Sequence, residues 1–475
     1  MQIIHIIILV AYVALMIGVG LWFSRSKSVS SGEDFMLAGR SLPAPVLAGT
    51  LLATFVGSGS IIGAASFIHQ YGPFAGMFFF AGTFAGIILL FFLAKRVHQL
   101  SKYTIPQLLE IRFGKPVRII ATIIILVAFI GITAYQFTGA GYIISLITPL
   151  SPVQGTIVAA VLITFLALGG GLKSVAWTDF LSIFIVIVAL IALAIYVFAV
   201  DLGGMATYVN GMEPAKLTLS GGLSPLQLLG YFLPLFLLIL GDQNMYQRLA
   251  AGASATTART ATIFFFIGAL VVITPIILLA SGSSVLQPGI EPDMAILSLA
   301  DPAFSPLALG GLLLTGAFAL IVTTGSSYLL TCSGNIVHDL VAQIRRREVS
   351  ERQALVIGRI GVLCVAVLAY VMVQFFPSVL ALQIYAYTMY GVAITPALFA
   401  ALFWKRATGF AVATAMIVGG AVTIIWEVQG RSEQVNAIVI SLPITIAVLV
   451  LLSLVTGSRS RDSKAEPAQQ SSPGR

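Results

Sequence analysis

The sequence predicts an all-α integral membrane protein with about thirteen transmembrane helices. Its composition is the first reason, because 59% of the 475 residues are hydrophobic and only 9% are charged. Soluble domains, by contrast, carry about 25% charged residues. The second reason is that the apolar residues form separate stretches of about 20, the length that spans the hydrocarbon core of a bilayer as a helix.

The apolar stretches follow one another along almost the whole chain. The stretches 118–148 and 305–343 are longer than one crossing requires, which indicates tilt or a helical extension beyond the lipid. The boundary between the tenth and eleventh stretches is placed at Phe376-Pro377. In order, the predicted spans are 4–24, 45–68, 74–95, 118–148, 154–172, 177–200, 226–247, 261–284, 305–343, 354–376, 377–403, 408–427 and 435–456.

Basic residues predict the orientation of these spans, because Lys and Arg concentrate in cytoplasmic loops. With the N-terminus outside, every Lys and Arg except Lys216 and Arg431 falls on the cytoplasmic side. An odd number of spans then places the C-terminus inside. We therefore divide the chain into a transmembrane domain, 1–457, and a polar cytoplasmic tail, 458–475, that is predicted to be disordered. The compact loops and short tail favour a bacterial inner (plasma) membrane.

The placement of charge and the motif content argue against other classes of protein. The net charge is +8, but the basic residues lie between apolar stretches rather than in one patch, so no nucleic-acid partner is expected. The sequence contains none of the patterns H-E-x-x-H, G-x-S-x-G or the phosphate-binding loop. We therefore expect no enzyme activity and no use of ATP.

Small and polar residues interrupt the second predicted span at its centre, in the sequence ATFVGSGSIIGAAS (53–66). Lipid tolerates unpaired backbone only where protein shields it or where it lines a watery cavity. Two interpretations are open. The small residues serve close helix packing, or the helix is unwound so that its carbonyls face an ion or a solute near the membrane midplane.

The ninth span carries four hydroxyl residues, Thr323, Thr324, Ser326 and Ser327, around a glycine. Thr323 shares a helix face with the two serines, whereas Thr324 can face a neighbouring helix. Such hydroxyls often bond back to a carbonyl of their own helix. Four of them in five positions, opposite a glycine-broken span, favour an oxygen site for a hard cation such as sodium.

Two charged positions raise further questions. Asp179 is predicted at the start of the sixth span, where a carboxylate is costly. It either caps that helix or pairs with Lys173, or it completes a cation site with the ninth-span hydroxyls. Asp242, with Arg248, is expected to form an intracellular network, and no Arg or Lys is expected at the midplane.

These segments resemble the sodium:solute symporter family, and the resemblance covers nearly the whole chain. It implies a LeuT-like fold of two inverted five-helix repeats, about 45–202 and 226–404, with flanking helices. Five motifs carry it in order: GRSLPAPVLAGTLLATFVGSGSIIGAA (39–65), TIPQLLEIRFG (104–114), GGGLKSVAWTDF (169–180), GDQNMYQRLAA (241–251) and ALFAALFWKRAT (397–408).

The resemblance also implies ion sites. A first sodium ion would be held by the carbonyls of Ala53, Val56 and Leu320 and the hydroxyls of Thr323 and Thr324, where members commonly have Ser. Some members hold a second sodium ion with an Asp and further hydroxyls. That set corresponds to Asp179, Thr323, Ser326 and Ser327.

Candidate solute contacts lie along the broken span and its neighbours. Sugar-carrying members place polar side chains here, whereas this chain has two phenylalanines, which weakens a sugar interpretation. The N-terminus of a half-helix can receive a carboxylate, so an amino acid or a monocarboxylate is favoured. The candidates are Phe55, Ser58, Ser60, Phe79, Tyr135 and Gln136.

Together these features predict a sodium-coupled symporter that imports a small organic solute with one or two sodium ions by alternating access. We expect it to act as a monomer in the lipid bilayer. A proton-coupled carrier of the same fold remains an alternative, as does a solute-binding membrane sensor or a channel. Sensors usually carry a signalling domain, and the tail offers no room for one.

Overall fold

The structure, a computed structural model, describes residues 3–24, 37–100, 104–168, 172–345 and 351–462. Within these ranges the secondary structure is helical, and the β-structure is limited to one isolated bridge between Leu42 and Gly252. The all-α class is therefore confirmed for the described residues. The predicted tail begins inside the last helix, and its residues 463–475 lie outside the described part.

The helices are numbered in chain order, and short 3₁₀ and π turns extend or join several of them. They are α1 (Ile3–Ser24), α2 (Ala44–Phe55), α3 (Ala64–Tyr71), α4 (Pro73–Leu100), α5 (Ile105–Phe113), α6 (Lys115–Ile147), α7 (Pro152–Ala167), α8 (Leu172–Tyr196), α9 (Met205–Gly211), α10 (Pro225–Gly241), α11 (Gln243–Ala250), α12 (Ala255–Leu286), α13 (Leu307–Gly334), α14 (Ala342–Arg345), α15 (Glu351–Val373), α16 (Val379–Phe403), α17 (Gly409–Val428) and α18 (Ile438–Asp462).

Ten described helices are long and apolar enough to cross a membrane, and the bent pair α2 and α3 raises the number to eleven. The chain is therefore a multi-pass membrane protein. The count of thirteen stays a prediction, in part because α7 has 16 residues and spans only about 24 Å as a helix. Residues 374–378 join α15 to α16 and include the predicted boundary at Phe376-Pro377.

The long helices differ in how far they are enclosed. In an 18-residue apolar segment of each helix, 72% of the residues are buried in α13 and 78% in α16. The corresponding values are 33% in α15 and 28% in α18. Each residue of α2 from Val46 to Phe55 is also buried. The broken pair, α13 and α16 therefore form the centre of the molecule, and the less buried helices leave apolar faces for lipid.

A second interruption lies between α10 and α11, within the stretch 226–247 that was predicted as one continuous span. Asp242 has an extended backbone (φ −62°, ψ 122°), and its carboxylate accepts hydrogen bonds from the N–H groups of Asn244 and Met245 at 2.5 and 3.2 Å. A side chain that caps a new helix competes with continuation of the preceding one. The interruption therefore coincides with the GDQN segment.

The loop between α12 and α13, on the predicted external side, buries a carboxylate. Asp293 lies in a 3₁₀ turn and accepts a hydrogen bond at 2.8 Å from the N–H of Val379, the first residue of α16. Burial raises the pKa of Asp293 from 3.8 to about 6, against the opposing effect of the Val379 N–H and the Ser66 hydroxyl, while Glu291 raises it further. The loop is thus tied to both α16 and α3.

The raised pKa predicts a pH-dependent stability. Folded Asp293 holds its proton more strongly than the unfolded chain does, so stability is lost as pH rises from about 4 to about 6. From pH 4.5 to 7.5 this amounts to about 2 kcal/mol. We expect Asp293→Asn to lack this loss, measured as the apparent melting temperature of wild type and variant across that range. Asp301→Asn, at an exposed position of the same loop, should follow the wild type, and parallel curves for Asp293→Asn would refute the prediction.

Candidate ion and solute site

The break in the second span is a defined bend of the backbone. α2 ends at Phe55, and the helix resumes with a π turn at Gly59–Gly63, so that the two halves meet at 56°. Val56 has φ −89° and ψ 76°, which turns its carbonyl away from the helical direction. Backbone oxygens of this segment are thereby released from the helical hydrogen-bond pattern.

Four of the five residues predicted for the first sodium ion form two contacts, one across the break and one within α13. The Thr324 hydroxyl donates to the carbonyl of Ala53 at 3.1 Å, which joins α13 to α2. One residue earlier, the Thr323 hydroxyl donates to the carbonyl of Leu320 at 3.2 Å. Each predicted hydroxyl ligand therefore lies against a predicted carbonyl ligand. A set of hydroxyl and carbonyl oxygens without a carboxylate suits a hard monovalent cation.

Asp179 lies beside this set, but inside its helix. Because α8 begins at Leu172, Asp179 is not an N-cap. The carboxylate accepts a hydrogen bond at 2.7 Å from the Thr50 hydroxyl of α2 and also interacts with the Thr323 hydroxyl. The alternative partner, Lys173, has a side chain outside the described part. Asp179 therefore connects α8 to the break and to α13.

Arg248 is the main departure from the predicted arrangement. It was assigned to the cytoplasmic side, yet its side chain is only 2% exposed. Its Nη2 lies 3.7 Å from the Asp179 carboxylate, and its Nε donates to the Thr50 hydroxyl at 3.0 Å. The burial of this side chain was not predicted from the sequence, whereas the expectation of no Arg or Lys at the midplane stays a prediction. A guanidinium thus stands next to the predicted second sodium site.

The two serines predicted for the second sodium ion behave differently. The Ser326 hydroxyl donates to the carbonyl of Thr323 at 3.0 Å, the local bond that membrane serines often make. The Ser327 hydroxyl instead accepts a long hydrogen bond at 3.4 Å from Nη2 of Arg248. Neither serine makes a direct hydrogen bond to Asp179 in this structure, so Arg248 and Thr50 take that position.

The polar solute candidates gather where α6 passes the break. The N–H of Ser58 donates to Oε1 of Gln136 at 2.9 Å, and the Ser58 hydroxyl donates to the carbonyl of Tyr135 at 2.9 Å. The Ser60 hydroxyl donates to the carbonyl of Phe55 at 2.8 Å and so stays within its own segment. Ser58, Tyr135 and Gln136 thus form one cluster, to which Ser60 is adjacent along the chain.

A helix that was not predicted to contribute completes this cluster. The Tyr135 hydroxyl donates to the hydroxyl of Tyr387 on α16 at 3.1 Å. The Gln383 amide, one turn earlier, packs so closely that a Cβ at Gly59 or Gly63 would lie 2.8 or 2.2 Å from it. A side chain at either position would displace the end of the Gln383 side chain, so the two glycines permit this approach. A glutamine and a tyrosine four residues apart in an apolar span were the available sequence signal.

The two predicted phenylalanines line an aromatic group rather than the polar cluster. Phe55 packs edge-on against Phe80 with ring centroids 6.4 Å apart, and Phe79 packs edge-on against Phe80 at 5.4 Å. Tyr231 of α10 lies 6.2 Å from Phe79. The broken span is thus polar towards α6 and α16 and aromatic towards α4 and α10, a combination that suits a small solute with a polar head and an apolar body.

A buried ion pair lies on the predicted cytoplasmic side. Nη2 of Arg118, on α6, lies 2.7 Å from the carboxylate of Asp339 at the end of the ninth span. Arg118 also pairs with Glu110 of α5, and the Thr104 hydroxyl donates to Asp339 at 3.2 Å. Loss of one partner would leave a buried charge uncompensated, so these contacts join α5 and α6 to the π turn Asn335–Val341 that follows α13.

At the sequence level, one family model and several known transporters match most of this chain. The model of the sodium:solute symporter family (SSF) matches residues 35–419. The high-affinity proline transporter PutP of Bacillus subtilis (strain 168) is 26% identical over 459 residues, 92% of this chain and 95% of the relative. A sodium/proline symporter of Staphylococcus aureus is 26% identical over 483 residues, 94% of this chain and 92% of the relative.

Solved structures share the fold. A Na⁺-coupled sialic acid symporter in a substrate-bound outward-open state matches 99% of both chains with a TM-score of 0.80 and 18% identity. Mhp1, a nucleobase-cation-symport-1 family transporter in a closed conformation, matches 90% of this chain and 95% of its own with a TM-score of 0.55 and 14% identity. At these identities the similarity concerns the fold alone.

Proposed function

Since this chain belongs to the sodium:solute symporter family, we propose that it is a sodium-coupled carrier that imports a small organic solute. Its matched relatives are named as transporters rather than enzymes. The contact that carries the proposal is the one across the break, where the Thr324 hydroxyl meets the Ala53 carbonyl. A cation bound there would hold α2 to α13.

In this proposal the first sodium ion binds to the carbonyls of Ala53, Val56 and Leu320 and to the hydroxyls of Thr323 and Thr324. The ion replaces each hydroxyl-to-carbonyl hydrogen bond by two oxygen ligands. Filling the site favours the outward-facing state, and the sodium gradient with the membrane potential drives the ion inward. A second ion would use Asp179 with Ser326 and Ser327.

The proposed solute is a small amino acid, with proline as the first candidate because sodium/proline symporters are among the relatives. The N–H of Ser58 already donates to an amide oxygen, Oε1 of Gln136, at the start of the second half-helix. A solute carboxylate can accept that N–H in its place, where the helix dipole favours negative charge. The ring of proline would then pack against the aromatic group around Phe80.

The proposed transport cycle uses the family's inverted repeats, about 45–202 and 226–404, within thirteen spans, with the N-terminus outside. Ion and solute bind between the repeats, and rocking of one against the other opens the inner side. The Arg118–Asp339 ion pair must separate for inward release, because it joins α6 to the end of the ninth span. We propose that the monomer carries out this cycle.

The test is solute uptake by the purified protein in liposomes. With an inward sodium gradient, labelled proline should accumulate above its equilibrium level, and replacing sodium by choline should abolish accumulation. Unlabelled amino acids, monocarboxylates and sugars added as competitors should rank in that order. Uptake driven equally by a proton gradient would replace the proposal with proton coupling, and equilibration without accumulation would indicate a channel. Solute binding without uptake would indicate a sensor.

A further inference from the structure

We propose that the guanidinium of Arg248 is a tethered counter-ion of Asp179 that a sodium ion must displace before it can bind to this carboxylate. The inference rests on the proposed sodium coupling and concerns its second site. It assigns to Arg248 a role in setting how strongly, and with how many ions, the protein responds to sodium.

The first argument is the charge of the site. Arg248 and Asp179 are 2% and 3% exposed, so neither charge is screened by bulk water. A buried carboxylate without a cationic partner is costly, and two cations within about 4 Å of each other repel strongly at the low effective dielectric of an interior. One carboxylate therefore accommodates one cation at a time, either the guanidinium or sodium.

The second argument is that the guanidinium is held loosely. Charge-assisted N–H···O bonds usually measure about 2.7–2.9 Å. Nη2 lies 3.7 Å from Asp179 and 3.4 Å from the Ser327 hydroxyl, and Nη1 lies 3.4 Å from the carbonyl of Asn244. Only the Nε bond to the Thr50 hydroxyl, at 3.0 Å, approaches the usual length. Displacement from Asp179 thus gives up no bidentate pair.

The third argument is that a water molecule can solvate the guanidinium when it leaves Asp179. Arg248 borders a small cavity of about 20 Å³, on which Ser327, Asn244 and Thr331 also lie. That volume is enough to hold about one water molecule. Within the described part of the chain, the buried Nδ2 of Asn244 makes no hydrogen bond, so a water molecule there would gain a polar partner. A water molecule in this space could hydrogen-bond to the guanidinium and so compensate in part for the lost contact with Asp179.

Displacement would also transmit ion binding to another helix. Arg248 belongs to α11, which follows the interruption at Asp242, whereas Asp179 belongs to α8 and Ser327 to α13. When the guanidinium leaves Asp179, α11 loses its ionic contact with α8. Sodium at the second site would thus release α11, while sodium at the first site holds α2 to α13.

The test compares sodium titrations of thermal stability in choline buffer for the wild type and Arg248→Met. Without its competitor, sodium should bind Asp179 more readily, so the midpoint should fall about tenfold and the titration should become steeper. Arg248→Met/Asp179→Asn should lose this gain, because the carboxylate that attracts the second ion is gone. An unchanged or higher midpoint in Arg248→Met overturns the inference.

Two further measurements keep the outcome interpretable. Arg248→Lys retains the charge but, being shorter and without the planar fork, cannot contact Thr50, Asn244 and Ser327 together. Its midpoint should lie between those of the other two proteins. If Arg248→Met cannot be produced as folded protein, a sodium midpoint of Arg248→Lys equal to that of the wild type overturns the inference. Absence of any sodium response in the wild type would instead refute the proposed function. If the wild type responds to sodium and the Arg248 variants do not, the inference is overturned and the proposed function stands.

Discussion

Thr324→Ala is expected to raise the sodium concentration for half-maximal thermal stabilisation at least about tenfold. The substitution removes an oxygen that lies 3.1 Å from the Ala53 carbonyl at the break. Loss of one ligand from a buried cation site costs about 1.4 kcal/mol or more, which corresponds to a factor of ten in affinity. The measurement is a sodium titration of the melting temperature in choline buffer, with proline uptake as the second readout.

Matched variants distinguish the loss of an ion ligand from the general effect of truncating a buried threonine. Thr324→Ser keeps the oxygen, so its sodium midpoint should stay within about threefold of the wild-type value. Thr315→Ala makes the same change at a buried threonine of the same helix, outside the proposed site. Its sodium midpoint should be unchanged. A shift of the same size in Thr315→Ala, or none in Thr324→Ala, would remove Thr324 from the ion site.

The break and its partner helix could be read from the sequence because the signals are local. Glycines and serines inside an apolar span mark an interruption wherever that span packs, and 56° between its halves is the consequence. The Thr323–Thr324 pair was likewise conspicuous as hydroxyls facing the break. Local composition identifies such positions, because unpaired backbone and hydroxyl groups in lipid require partners.

The residues that the sequence did not identify depend on tertiary contacts. Arg248 follows an apolar stretch, as a cytoplasmic anchor would, and only tertiary contacts show that its side chain is buried beside Thr50, Asp179 and Ser327. Gln383 is recognisable as a polar residue in an apolar span, but its approach to Gly59 and Gly63 depends on how α16 packs against the break. The span pattern carries no information on which helices become neighbours.

The interruption at Asp242 was missed for a different reason. One aspartate near the end of a continuous apolar stretch resembles the boundary of a span, and hydropathy alone does not distinguish a boundary from a bend. In the structure Asp242 is only 1% exposed. It accepts a hydrogen bond at 2.7 Å from the Tyr328 hydroxyl of α13, in addition to capping α11. Asp242 thus connects this interruption to the ninth span.

Asp242→Ala is expected to lower the free energy of unfolding by about 2–5 kcal/mol. Loss of the N-cap contributes about 1–2 kcal/mol. The buried Tyr328 hydroxyl loses its acceptor, which adds about 1–3 kcal/mol. Asp242→Asn keeps one oxygen, which can still cap α11, but its amide nitrogen cannot accept the Tyr328 hydroxyl, so it should be destabilised less than Asp242→Ala and more than the wild type. The comparison is made by thermal unfolding in detergent and by the yield of monodisperse protein, both in choline buffer so that ion binding does not contribute.

Asp301→Ala is the matched control, because Asp301 also accepts a backbone N–H, that of Ala303 at 2.9 Å, but in an exposed loop. Its stability should change by less than about 1 kcal/mol, since water replaces the lost bond. Tyr328→Phe removes the hydroxyl and leaves the cap, so its loss should be smaller than that of Asp242→Ala. The contrary result is a melting temperature of Asp242→Ala equal to that of the wild type, with a lower one for Tyr328→Phe. In that case the carboxylate neither caps α11 nor anchors α13, and packing alone maintains the interruption.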